Sequence, residues 1–290
     1  MKKILILISI IISFASCNIK NNSTNSVSTV DSTLQIKVDS ILQNRLSELD
    51  ATAGQVIVME VQTGEIKASA GTEQKPQESG LIRTASLLAA LETKVVQLFD
   101  TIDVGNGILT IGKDTLLDHN WYKGGYGKIT IQQGFGVSSN IANYKTAQHT
   151  FKDAQTFSKV LAKYGYQVKD TSLIYNPLGY GVFTTPLQNL TFYNAIAQGT
   201  IGDKAAVNNI KRALEYTVTD GLAKPAMSDE VKIAGATGTI QLPNGEYAVE
   251  FCGYFPADNP QYSVIVSINK KDKPASGGLM AGTVFKQIAE

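Results

Sequence analysis

The chain has 290 residues, 43% of them hydrophobic and 18% charged, which is long enough for one large core beyond its N-terminal segment. Its 26 basic and 25 acidic side chains leave a formal net charge of +1, which argues against nucleic acid or an anionic membrane surface as a charge-driven partner. The two histidines, His119 and His149, stand apart with no Cys pair to assist them, so no metal and no cofactor is expected.

Residues 1–17 have the build of an export signal: Lys2 and Lys3, the aliphatic run Ile4 to Ile12, then Phe14-Ala15-Ser16-Cys17. The apolar run is too short to anchor a chain across a bilayer. Its ending is that of a bacterial lipobox, which makes Cys17 the expected lipidation site; a plain secretory signal with an incidental cysteine is the alternative. Asn18 to Thr33 is rich in Asn, Ser and Thr and reads as a polar tether (18–33) holding an extracytoplasmic domain off a membrane. Asn18, where some bacteria place an inner-membrane retention aspartate, tilts the expectation toward the outer membrane.

A single domain is expected over 34–290. Leu34, Val38, Ile41, Leu42, Leu46 and Leu49 recur at helical spacing and predict an opening helix. Gln55 to Glu60 and Glu65 to Ala70, around the turn Gln62-Thr63-Gly64, predict a hairpin. Leu81 to Phe99 predicts a long apolar helix, followed by a mixed section of turns and helices, with the helical block spanning about 78–225. Lys232 to Leu242, Tyr247 to Phe255 and Tyr262 to Ile268 predict three consecutive strands, and a helix follows Gly277-Gly278. Cys252 falls in the second of these apolar strands and reads as a buried thiol with no partner for a disulfide. Together these give an α/β fold of the α+β type: an antiparallel five-stranded sheet flanked by helices, with a helical subdomain.

Six segments then carry a resemblance. Gln55 to Ala68 matches an opening hairpin, Gly134 to Ala142 holds a Ser-x-Asn motif at Ser138 and Asn140, and Pro177 to Gln188 with Phe192 to Gly199 matches a glycine turn and its following helix. Ala234-Gly-Ala-Thr-Gly-Thr-Ile-Gln241, Phe251 to Tyr262 and Gly277 to Ala289 complete the series. In this order they resemble the transpeptidase domain of a class B, high-molecular-weight penicillin-binding protein, of the serine D,D-transpeptidase and β-lactamase-like superfamily. The resemblance implies a cleft bordered by Ser138, Asn140, Thr237, Gly238 and Thr239, where a peptide pairs with the 234–241 strand. The bland reading of the same residues is structural, Ser138 and Asn140 bracing the helical block and Thr-Gly-Thr permitting close packing.

The chemistry departs from the family. Such enzymes carry Glu-Pro-Gly-Ser-x-x-Lys where this chain has Glu78-Ser79-Gly80-Leu81-Ile82-Arg83, and Lys-Thr-Gly where it has Ala236-Thr237-Gly238. Counting back from Glu92 puts Arg83 at the lysine position and Gly80 at the serine; an equally good alignment deletes the serine after Gly80. Neither gives Ser-x-x-Lys, whose spacing sets a hydroxyl beside an amine able to take its proton. Arginine holds its proton at physiological pH. Ser267-x-x-Lys270 lies in a strand, where that spacing points the two side chains to opposite faces. Ser79, just ahead of an apolar helix, reads as a cap before it reads as a nucleophile. The segment from Gly71 to Gln77 is shorter than the family's usual border to the cleft, and a polar tether is expected where the family's pedestal module usually precedes the domain.

The expectation is a lipid-anchored pseudo-transpeptidase of the bacterial envelope that binds a cell-wall synthesis protein or a peptidoglycan peptide without turning it over. The alternative is an active D,D-transpeptidase, carboxypeptidase or β-lactamase with an unorthodox nucleophile; a structural envelope protein with a closed cleft is a third reading.

Overall fold

A computed structural model of the chain describes residues 29–169 and 171–290. The expected signal, Cys17 and most of the tether lie outside the described residues. Among the described residues no helix is long and apolar enough to cross a membrane.

Asp31 accepts hydrogen bonds from the N–H groups of Thr33 and Leu34 and so starts helix α1 (Ser32–Glu48) ahead of the Leu34 read from periodicity. The end of the supposed tether is fastened down: Thr29 Oγ1 donates to Ile66 O at 3.0 Å and Asp31 N–H to Lys67 O at 2.9 Å. Strands β1 (Ala51–Glu60) and β2 (Ile66–Gly71) form the expected hairpin, with Gly64 at φ 72° in its turn. After the two-residue β3 (Gln77–Glu78) comes helix α2 (Ile82–Glu92).

Helix α2 ends well short of the expected Phe99. Thr93 Oγ1 donates to Ala90 O at 2.7 Å and accepts from Val95 N–H at 3.2 Å, and Lys94 turns the chain at φ 61°. A threonine competing for local backbone bonds, ahead of two β-branched valines, ends a helix that apolar content alone would extend.

The helical block contains short strands that no alternation announces: β4 (Thr101–Gly105), β5 (Ile108–Ile111), β6 (Asp114–Leu117) and β7 (Gly127–Thr130). Helices α3 (Ile131–Gly136), α4 (Asn140–Thr150) and α5 (Ala154–Lys163) follow, then β8 (Gln167–Val168), β9 (Val182–Thr184), α6 (Pro186–Gln198) and α7 (Lys204–Thr219). The chain closes with β10 (Ala234–Gln241), β11 (Tyr247–Phe255), β12 (Tyr262–Lys270), a π-helical turn at Gly278–Gly282, and α8 (Thr283–Ala289).

The main sheet has the order β10-β11-β12-β1-β2, with all its pairings antiparallel. Side chains alternate across it. Val56, Val58, Val249, Phe251, Val264, Val266 and Ile268 pack on one face against α1 and α8. Ile57, Met59, Cys252, Tyr254 and Ile265 pack on the other against α2, α5, α6 and α7. Cys252 is fully buried, as expected.

On that second face the register sets residues in rows across the strands. One row runs Ile57, Ile265, Cys252, Ala236 and is apolar. Its neighbour runs Gln55, Ser267, Glu250, Gly238 and is polar yet buried. Both rows end on β10, the edge strand.

On the opposite face the rings of Phe251 and Phe285 lie 4.7 Å apart and those of Phe255 and Phe285 5.8 Å apart, so one side chain of α8 fixes the helix to the sheet. Phe285→Ala is expected to cost about 3–5 kcal/mol of unfolding free energy in urea titration. A loss below 1 kcal/mol would show that α8 is not part of the cooperative unit.

Candidate functional site

A cleft of about 600 Å³ opens along β10, between the helical block and the segment that leads into α8. Arg83, Ser138, Asn140, Thr237 and Thr239 line it, together with Tyr180, Leu222 and Leu279. Five of the residues singled out from the sequence therefore meet at one place. Gly80 and Ala236 sit just behind, around a void of about 10 Å³, and Ser79 and Gly238 lie deeper still.

Ser79 is 1% exposed. Its Oγ donates to Glu250 Oε2 at 2.6 Å, accepts from Asn189 Nδ2 at 3.1 Å and accepts from Leu81 N–H at 3.2 Å. One donor and two acceptor sites are all that a serine hydroxyl has, and all three are engaged away from the cleft. Ser79 does not cap α2 as the sequence suggests: the N-cap is Leu81, with no side-chain cap bond, and the bond from Leu81 N–H belongs to the turn that leads into the helix. The bond to Glu250 has no signal in the local sequence.

Glu250 is the chief residue that sequence reasoning missed. It stands in the apolar run Tyr247 to Phe255, where a single glutamate at the same alternation as Cys252 and Tyr254 is the available signal. Burial pushes its carboxyl up to about 7, against the opposing effect of hydrogen bonds from Ser79, Ser267 and the Gly80 backbone. Ser267 Oγ in turn donates to Gln74 Oε1 at 2.8 Å, and Gln74 N–H donates to Gln55 Oε1 at 3.2 Å, so the polar row is roofed by the short segment between β2 and β3. Ser267 and Lys270 do point apart, Lys270 Nζ donating to Asp272 O and Pro274 O.

Gly80 meets the edge strand backbone to backbone. A Cβ placed on it falls 2.8 Å from Thr239 N and 2.9 Å from Gly238 Cα, both main-chain atoms that cannot swing aside. Gly238 is required in its turn, because a Cβ there falls 2.9 Å from Glu250 Oε2 and 3.2 Å from Leu81 N. Ala236 closes the apolar row, and the void beside it is no larger than one water.

Arg83 lies one helical turn into the cleft wall. Its Nη2 donates to Asn140 Oδ1 at 2.6 Å and its Nη1 to Ser138 O at 3.3 Å. Burial lowers the guanidinium to about 10, which leaves it charged at neutral pH. Ser138 holds φ 50°, a region few residues other than glycine enter, and in that conformation its carbonyl meets Arg83. Asn140 Nδ2 donates to Leu117 O at 2.7 Å, so Asn140 ties Arg83 to β6. The residue that caps α4 is Ser139, not Ser138: its Oγ accepts from Ala142 N–H at 2.9 Å and donates to Asp118 Oδ2 at 2.8 Å. His119 also borders the cleft, its Nε2 3.0 Å from Tyr126 OH, and burial lowers its pKa. His149 lies in a separate groove, and among the described residues no cluster of His, Cys, Asp or Glu could hold a metal ion.

An antiparallel five-stranded sheet backed by α1 and α8, with a helical block over its other face and a cleft at its edge strand, is the architecture of penicillin-reactive enzymes. The chain belongs to the penicillin-binding protein transpeptidase domain family, which it matches over residues 54–290. It is 31% identical over 100 residues to stage V sporulation protein D of Bacillus subtilis, across 32% of this chain and 16% of that protein. It is 22% identical over 348 residues to penicillin-binding protein PbpB of Mycolicibacterium smegmatis, across 90% of this chain and 53% of that protein. The chain thus spans about half, or less, of the length of these relatives. The transpeptidase domain of Burkholderia pseudomallei penicillin-binding protein 3 superposes with a TM-score of 0.80 at 20% identity, over 91% of this chain and 95% of that one.

Two expectations follow. Glu250 titrates near 7 when folded, above the ordinary 4.5, so between those values the folded state keeps a proton that the unfolded chain has released. Its contribution to stability is complete below pH 4.5 and is lost as pH rises through 7, by about 3 kcal/mol. In urea titrations Glu250→Gln is expected to remove that part of the slope, and an unchanged slope would remove the role given to this carboxyl. Gly80→Ser is expected to destabilise by about 1–3 kcal/mol, since β10 must move to admit the side chain; an unaltered midpoint would mean that the strand is free to yield.

Proposed function

We propose that this chain is a non-catalytic member of its family, a lipid-anchored envelope protein that binds a peptidoglycan peptide in the cleft along β10 and leaves it intact. The observation that carries the reading is the state of Ser79, whose hydroxyl is buried and fully engaged by Glu250, Asn189 and Leu81. Acyl transfer needs a nucleophile that reaches the substrate and a base that takes its proton. Gly80 has no side chain to offer, Arg83 keeps its proton, and Ala236 ends an apolar row. A site missing members of a cooperating unit loses nearly all the rate that the unit gives, on the order of 10⁶ in a serine hydrolase.

Binding, by contrast, keeps its parts. β10 is the free edge of the sheet and faces the cleft, and an unpaired edge is a ready template for an extended peptide. The family's relatives in cell-wall synthesis make a peptidoglycan peptide the first candidate, with a cell-wall synthesis protein as the second. Residues 1–17 and Cys17 support export and anchoring at the periplasmic face of the outer or inner membrane.

The test is incubation of the purified chain with a fluorescent penicillin, read by gel and by intact mass. No covalent adduct is expected. A stoichiometric adduct that disappears in Ser79→Ala would establish an active serine enzyme with a rearranged nucleophile, the alternative that the family membership otherwise favours.

A further inference from the structure

The charge in the cleft has no counterpart. Of the residues that line it, Arg83 is the one that carries a full charge at neutral pH, since burial lowers the pKa of His119 and the other lining side chains are neutral. Arg83 makes its hydrogen bonds to two neutral acceptors, Asn140 Oδ1 and Ser138 O. Among the described residues no carboxylate forms an ion pair with it. The acidic groups whose fields reach it are Tyr180, a neighbour in the cleft whose hydroxyl burial keeps protonated at neutral pH, and then Asp118, whose carboxylate is occupied by Ser139 Oγ at 2.8 Å and Ile141 N–H at 3.1 Å.

A guanidinium carries five N–H donors, so donors remain after the two bonds to protein. A partly buried cation without a counter-charge is unfavourable, and evolution toward a plain scaffold would replace it with a neutral side chain. Asn140 and the left-handed Ser138 instead hold the guanidinium in one orientation. A planar fork fixed in this way is suited to a carboxylate, which it meets with two parallel bonds.

We propose that Arg83 is the anion-binding residue of the cleft, and that the ligand is an extended peptide presenting a carboxylate to it while its backbone lies along Thr237 and Thr239. This rests on the peptide-binding reading above and adds the chemistry of recognition. The opposite wall, Leu222, Pro225 and Leu279, is apolar, with Leu222 40% and Leu279 60% exposed, which fits small aliphatic residues beside the carboxylate. The carboxylate comes either from a peptide C-terminus or from an acidic side chain.

Three peptides separate these sources: diacetyl-L-Lys-D-Ala-D-Ala as the free acid, the same peptide as its C-terminal amide, and an amide with glutamate in the last position. Each is titrated calorimetrically into the purified chain, into Arg83→Gln and into Arg83→Lys. The free acid is expected to bind at least about tenfold more tightly than its amide, with a ratio that shrinks at high salt. That preference is expected to vanish in Arg83→Gln and to survive in part in Arg83→Lys. Recovery of affinity by the glutamate peptide assigns the site to acidic side chains as well; no recovery assigns it to the C-terminus. Equal binding of acid and amide, or a preference that persists in Arg83→Gln, overturns the proposal while leaving peptide binding in place. If none of the three binds, the peptide-binding reading itself fails and the role of Arg83 with it. Should Arg83→Gln not fold, the acid-to-amide ratio and its salt dependence in the unmodified chain decide the matter.

Discussion

The hydrogen bond from Ser79 to Glu250 organises the part of this domain where a transpeptidase does its chemistry. At 2.6 Å and out of reach of water, it joins the start of α2 to the middle of the sheet. It holds Ser79 behind the edge strand, with the glycine after it against the backbone of β10 and Arg83, one turn further on, in the wall of the cleft. Glu250 is tolerated because Ser79 donates to one of its oxygens, while Ser267 Oγ, 3.4 Å from the other, links it to Gln74 and through Gln74 to Gln55. A half-satisfied row would destabilise the sheet; the complete one fixes its register to the helix above it.

The two rows that end on β10 explain the degenerate motif better than any single substitution does. Lysine at position 236 belongs to a cleft with a nucleophile in front of it. Here position 236 continues Ile57, Ile265 and Cys252, and alanine fits that row and the small void beside it. Thr237 and Thr239 face the other way, toward the cleft, and Gly277 N–H donates to Thr239 Oγ1 at 2.9 Å to hold the far wall. The strand therefore keeps two threonines on the cleft while its inward residues have joined the core.

Much of this was legible in the sequence, and the boundary of legibility is physical. The five main strands and the helices that cover them declare themselves through period-two and helical patterns, and the segments that carry the family likeness lie on them. The strands of two to five residues inside the helical block do not, because so short a run holds too few alternations to register and is stabilised by pairing across the chain. The ambiguity at Ser79 and Gly80 could not be resolved along the chain either. Its resolution depends on Glu250 and Asn189, which lie 171 and 110 residues away from Ser79 in sequence and meet it only once the sheet and α6 are folded. Ser139 was likewise hidden behind its neighbours in the Ser-x-Asn motif, since its part depends on Asp118, the residue that follows β6.

The central claim is that the edge of β10 receives a peptide and that nothing is done to it. A titration of the ¹⁵N-labelled chain with a cell-wall stem peptide ending in D-Ala-D-Ala, followed by amide spectra and by the mass of the recovered peptide, addresses both halves at once. The account predicts that the amides of Thr237, Gly238 and Thr239 shift with saturation and that the peptide returns unchanged. Shifts confined to another surface, or a peptide returned one residue shorter, would contradict it.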